Sequence, residues 1–95
     1  MSVRFFAAMR EIVGKRVEFL EFPQGEEVTV RRILQRLAKL YGEDFVEYVF
    51  DRKTGEVQDY LTLIVNGRSI NTLDGLETEI IEGDVLALLP PIGGG

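Results

Sequence analysis

Ninety-five residues, 45% apolar and 28% charged, make one globular domain with a modest core, and leave no room for a second domain or a deep enclosed active site. With no Cys and no His, disulfides, thiolate nucleophiles, His-dependent triads and the common zinc sites are excluded. Sixteen acidic against eleven basic residues give a net charge of −5, which disfavours nucleic acid and anionic membranes as partners. No stretch approaches the ~18 apolar residues of a membrane span and MSVRFFAAMR shows no signal-peptide cleavage pattern, so a cytoplasmic protein is expected.

In chain order, the apolar run Val3 to Ala8 predicts a first strand and Lys15 to Phe22 a second. MREIVG between them is too short for a parallel crossover and reads as the longer loop of an antiparallel hairpin. The second stretch mixes its parity, Val17 and Phe19 against Leu20 and Phe22, which a β-bulge would reconcile. After the Pro23-Gln24-Gly25 turn, Val30, Ile33, Leu34, Leu37, Ala38 and Tyr41 follow the spacing of an amphipathic helix, with Thr29 as N-cap and Gly42 past its end. Its outward face, Arg31, Arg32, Arg36 and Lys39, reads as a solvated surface, with contact to an acidic partner as the functional alternative.

Glu43 to Phe50 predicts a short second helix, and its acids lack the glycine-centred loop of a calcium site, so no metal is expected. Asp51 to Gly55 reads as a turn. Leu61 to Val65 is the clearest strand, and Asn66-Gly67 turns it into Arg68-Ser69-Ile70. A turn-rich stretch from Asn71 to Glu79 and the Glu82-Gly83-Asp84 turn lead to the last strand, Val85 to Leu89. The order predicts an α+β domain over residues 1–89, a mixed four- or five-stranded sheet with one main helix on one face. First and last strands side by side at the centre give the β-grasp, or ubiquitin-like, arrangement.

Residues 90–95 form a tail of different character: Pro90-Pro91-Ile92-Gly93-Gly94-Gly95. Proline ends a strand because it offers no N–H and fixes φ, so the pair launches a stiff, extended segment of up to ~20 Å at about 3.3–3.6 Å per residue. Terminal glycines are often only a frayed end. Here they follow directly on Pro-Pro-Ile and the last core strand, which suits a tip that enters a narrow channel. A terminal carboxylate that is to be adenylated and then attacked needs its carbonyl uncrowded, and glycine has no Cβ to crowd it. The reactive group would then be the main-chain carboxyl of Gly95, next to Gly94.

VRFFAAMREIVG, NGR, DGL, EGDVLALLPP and the LPPIGGG ending together resemble the MoaD and ThiS group of ubiquitin-like sulfur carriers, and within it the small subunit of molybdopterin synthase. The similarity spans the chain and is most specific at its two ends; Gly93 stands at a site that varies in the group. The resemblance implies adenylation of Gly95 by an E1-like activating enzyme that uses ATP. Conversion to a thiocarboxylate by a sulfur donor follows, then insertion of the tail into a MoaE-like large subunit, where the sulfur builds the dithiolene of molybdopterin. It implies no cofactor on this chain alone and no catalytic side chain of its own. A protein modifier conjugated to target lysines, or a carrier for tRNA or thiamine thiolation, starts from the same adenylate and is the alternative.

Pleat parity suggests how partners dock. With Phe5 and Ala7 turned to the helix, Phe6 faces outward beside Arg4. With Leu86 and Leu88 turned inward, Ala87 and Leu89 face out, joined by Thr62 and Ile64. Phe6, Arg4, Ile64 and Leu89, with the tail residues Pro90, Pro91, Ile92 and Gly93, are the expected partner-binding set.

Overall fold

The computed structural model describes residues 1–91. Its strands are β1 (Ser2–Phe5), β2 (Val17–Phe19), β3 (Thr62–Val65), β4 (Arg68–Ser69) and β5 (Val85–Leu89), and its helices are α1 (Ala8–Val13), α2 (Val30–Tyr41) and α3 (Glu43–Val49). Single 3-10 turns occupy Ile70–Thr72 and Gly75–Glu77 in the turn-rich stretch. One five-stranded mixed sheet runs β2-β1-β5-β3-β4, with β1 and β5 parallel and the other pairs antiparallel. This is the β-grasp fold.

α2 forms where the apolar spacing put it. Thr29 Oγ1 accepts from Arg32 N–H at 3.2 Å, relieving one of the unpaired first-turn donors, and Gly42 closes the helix with φ 79°. Val30, Ile33, Leu34 and Leu37 are buried on its inner face. Against them pack Val3 and Phe5 of β1, Leu63 and Val65 of β3, Leu86 and Leu88 of β5, and Phe45 of α3. Each such side chain contributes about 1.5–3 kcal/mol relative to exposure. The basic outer face is largely occupied within the chain. Arg31 pairs with Glu77 at 2.7 Å and Arg32 with Glu26 at 2.6 Å, and the guanidinium groups of Arg32 and Arg36 lie over the Phe22 ring at 4.8 and 4.4 Å.

Three local expectations are corrected. First, MREIVG is not a loop: α1 covers it, because Met9, Ile12 and Val13 have helical spacing and Met9 is fully buried, with Gly14 at φ 78° ending the turn. Second, Ala7 does not face the main helix. β1 stops at Phe5, and Ala7 lies exposed at φ 49°, ψ −124°, where the chain turns from strand into helix.

Third, β2 has no bulge. Its register with β1 is regular (Ser2↔Phe19, Val3↔Glu18, Arg4↔Val17), and the mixed parity arises because the apolar residues of the inward parity, Leu20 and Phe22, lie beyond the strand, whose own inward residue is Glu18. Val17 and Phe19 share the sheet face with Ser2 and Arg4, while Leu20 takes the other parity and is buried. The strand is also shorter than Lys15 to Phe22. β3 likewise begins at Thr62 rather than Leu61.

Candidate functional site

The site is built where β5 ends. As a central strand, β5 is hydrogen-bonded on both edges, and its inward residues Leu86 and Leu88 are fully buried, so its direction is held by the core. Pro90 follows and is buried, and Pro91 is exposed, so the chain leaves the sheet between one residue and the next. β1 is parallel to β5, with Phe5 opposite Leu88, so Phe6 and the turn at Ala7 sit beside this exit. Ile92, Gly93, Gly94 and Gly95, which carry the expected chemistry, lie outside the described residues.

Beside the exit is the sheet face that no helix covers. Strand register puts Arg4, Val17, Phe19, Thr62, Ile64, Ala87 and Leu89 together on it. Arg4 and Ile64 flank Ala87 from opposite sides, and Thr62 pairs with Leu89. Ile64, Ala87 and Leu89 are half-buried, Arg4 is exposed, Phe6 is 37% exposed and Phe19 is 77% exposed. Arg4, Ile64 and Leu89 thus share one surface, and Phe6 stands at its tail end. Phe19 and Val17 extend that surface across β2. A bulge would hide their shared parity; with the register regular, Val17 and Phe19 are themselves the signal of an apolar outer face.

Among the described residues no group of His, Cys, Asp or Glu could hold a metal ion. The perturbed titrating groups lie elsewhere. Tyr41 donates to Glu18 Oε1 at 2.5 Å on the helix side of β2. Burial, and then this bond, pushes the Tyr41 phenol up, while the Tyr41 hydroxyl is the main cause holding the Glu18 carboxyl below its ordinary range. Tyr60 is pushed up by burial first and then by Tyr48. The arrangement offers presentation: an exit strand held by the core, a proline root and an uncovered apolar face. No helix among the described residues is long and apolar enough to cross a membrane.

Comparison with known proteins agrees with this geometry. The family model described as ThiS family matches residues 3–95. Small archaeal modifier protein 3 of Haloferax volcanii is 32% identical over 95 residues, covering 100% of this chain and 98% of that protein. Among solved structures, SAMP1 from Haloferax volcanii superposes with a TM-score of 0.81 at 28% identity, covering 99% of this chain and 97% of the other. A Pyrococcus furiosus protein named as a candidate molybdopterin converting factor, subunit 1, superposes with a TM-score of 0.72 at 29% identity, covering 96% and 95%.

Proposed function

Because the chain belongs to the ThiS family of ubiquitin-like sulfur carriers, we propose that it carries sulfur as a C-terminal thiocarboxylate and serves as the small subunit of a molybdopterin synthase. In this reading an E1-like enzyme supplies ATP. An oxygen of the Gly95 carboxylate attacks the α-phosphate, pyrophosphate leaves, and an acyl-adenylate forms. Hydrosulfide delivered by the donor then attacks the carbonyl carbon, AMP departs with the bonding electron pair, and loss of the thioacid proton leaves the thiocarboxylate. A MoaE-like large subunit takes the tail and uses that sulfur for the dithiolene.

The roles follow from position. Gly94 and Gly95 keep both faces of the reacting carbonyl open. Pro90 and Pro91 stiffen the root, and Ile92 and Gly93 lie within the partner's channel. Arg4, Phe6, Ile64 and Leu89 dock the body. The observation that carries the reading is the direct passage from a central core strand into Pro90-Pro91, with an uncovered apolar face alongside. A body that holds its exit strand this firmly is suited to delivering a tail.

A second reading is conjugation of Gly95 to lysines of other proteins, favoured by the full-length likeness to small archaeal modifier protein 3. One experiment separates them. After incubation with ATP, the activating enzyme and a sulfur source, intact-mass spectrometry is expected to show one terminal oxygen replaced by sulfur. Affinity capture from cells is expected to return one stoichiometric large-subunit partner. A ladder of covalent conjugates without that partner would establish the modifier instead, and an unreactive C-terminus would refute both.

A further inference from the structure

A concavity of about 430 Å³ lies at the pole opposite the tail exit. It continues the line of β1 beyond Met1. On one side runs the chain that follows β2, through Leu20, Glu21 and Phe22, and on the other the chain that precedes β5, through Ile80, Ile81 and Glu82. The two rails run on from β2 and β5, the neighbours of β1 in the sheet; the second turns at Ile81–Asp84, where Asp84 N–H donates to the Ile81 carbonyl at 3.0 Å, and is paired at Ile80, whose N–H donates to the Val28 carbonyl at 2.8 Å. At its inner end the Met1 ammonium donates to the Leu20 carbonyl at 3.3 Å, and Ser2 N–H donates to the Asp84 carbonyl at 3.0 Å. Beyond that, the backbone groups of Glu21 and Phe22 have no hydrogen-bond partner among the described residues.

The side chains fit a particular occupant. Leu20 and Ile80 form a buried floor, and Ile81 is 60% exposed at the rim. Glu21, Glu79 and Glu82 are exposed around it, and none forms an ion pair among the described residues; Glu26, at the far end, is already held by Arg32. An apolar slot with one unpaired backbone edge, at Glu21 and Phe22, and a carboxylate rim repels phosphate and anionic lipid and suits an extended peptide that alternates apolar with basic residues. We propose that this slot binds such a cationic strand from a partner protein. Because it sits at the other end of β1 from the tail, the body can be held there while Gly95 is engaged elsewhere.

The test is an amide NMR titration of the whole protein with acetyl-Val-Lys-Val-Lys-Val-amide, and in parallel with the peptide carrying Glu for Lys. The basic peptide is expected to shift residues 20–26 and 79–82, with little change at Arg4, Ile64 or Ala87. The exposed double variant Glu79→Lys/Glu82→Lys is expected to stay folded and to weaken binding by roughly three- to thirty-fold, the loss of two solvent-exposed ion pairs. Equal binding of the acidic peptide, shifts confined to the open sheet face, or no shift at millimolar peptide would overturn the proposal. Shifts at 20–26 that instead follow protein concentration without peptide would assign the slot to a second copy of the chain.

Discussion

Ala87→Glu separates docking from folding. Ala87 is at the centre of the open sheet face, while its neighbours Leu86 and Leu88 face the core, so the longer side chain projects away from the packing. On β1, Arg4 lies directly opposite, and a cross-strand pair of opposite charges contributes roughly 0.2–1 kcal/mol, offsetting the poorer strand preference of Glu. The net change in stability is expected to stay within about 0.5 kcal/mol, a melting shift of about 2–4 °C for a domain of this size. Docking is another matter. A partner that covers this face must strip water from the new carboxylate, and even with Arg4 beside it that costs about 2–4 kcal/mol, or roughly 30- to 700-fold in Kd. Calorimetric titration with the activating enzyme and with the large subunit, beside a thermal melt by circular dichroism, reads both quantities. Gln35→Glu, on the exposed face of α2, is the control and should change neither. A variant that melts like the parent and binds within threefold of it would refute docking through the open face.

Ala7→Gly should raise stability by about 1 kcal/mol, because φ 49° strains any residue with a Cβ; the melting temperature then rises by about 4–8 °C, and a fall would contradict the strain. Deleting Gly94 and Gly95 should leave the melt unchanged and abolish thiocarboxylate formation by intact-mass spectrometry. The Glu18–Tyr41 bond should show in the pH dependence of the melt. Glu18 titrates lower in the folded chain than its ordinary 4.5, so its contribution is fully present above pH 4.5 and is lost as pH falls through the folded value. Tyr41 titrates above its ordinary 10, so its contribution holds below pH 10 and is lost above it. Tyr41→Phe should therefore flatten both limbs, and an unchanged acid limb would show that the bond does not contribute.

What could be read beforehand followed from strong local patterns. The stripe of α2, its Thr29 cap and the Asn66-Gly67 turn are each enforced by a few neighbouring residues, and Asn66 indeed takes a positive φ of 50° at that turn. The pairing of β1 with β5 came from topology, since neither strand has a clear period. α1 was hidden because six residues give too few repeats of a helical spacing, and because its stability rests on burying Met9 in a core that only the assembled sheet supplies. The slot beyond Met1 was invisible for a related reason: its rails come from residues 20–26 and 79–82, far apart in sequence and joined only by the strand order.

The mixed parity of residues 17–22 and the loss of period in β5 have a physical cause that bears on function. A strand covered on one face and wet on the other alternates, while a strand apolar on both faces expects cover on both. The core accounts for Leu86 and Leu88 in β5 and for Leu20 after β2, yet among the described residues no layer lies above Val17, Phe19, Ala87 and Leu89. Contiguous apolar surface of that kind is the usual mark of a face completed by another protein. A partner seated there would hold β5 on its free side. Since Leu89 passes directly into Pro90, the contact that supplies affinity would also fix the direction in which the tail departs, so affinity and delivery cannot be tuned independently at this end of the strand.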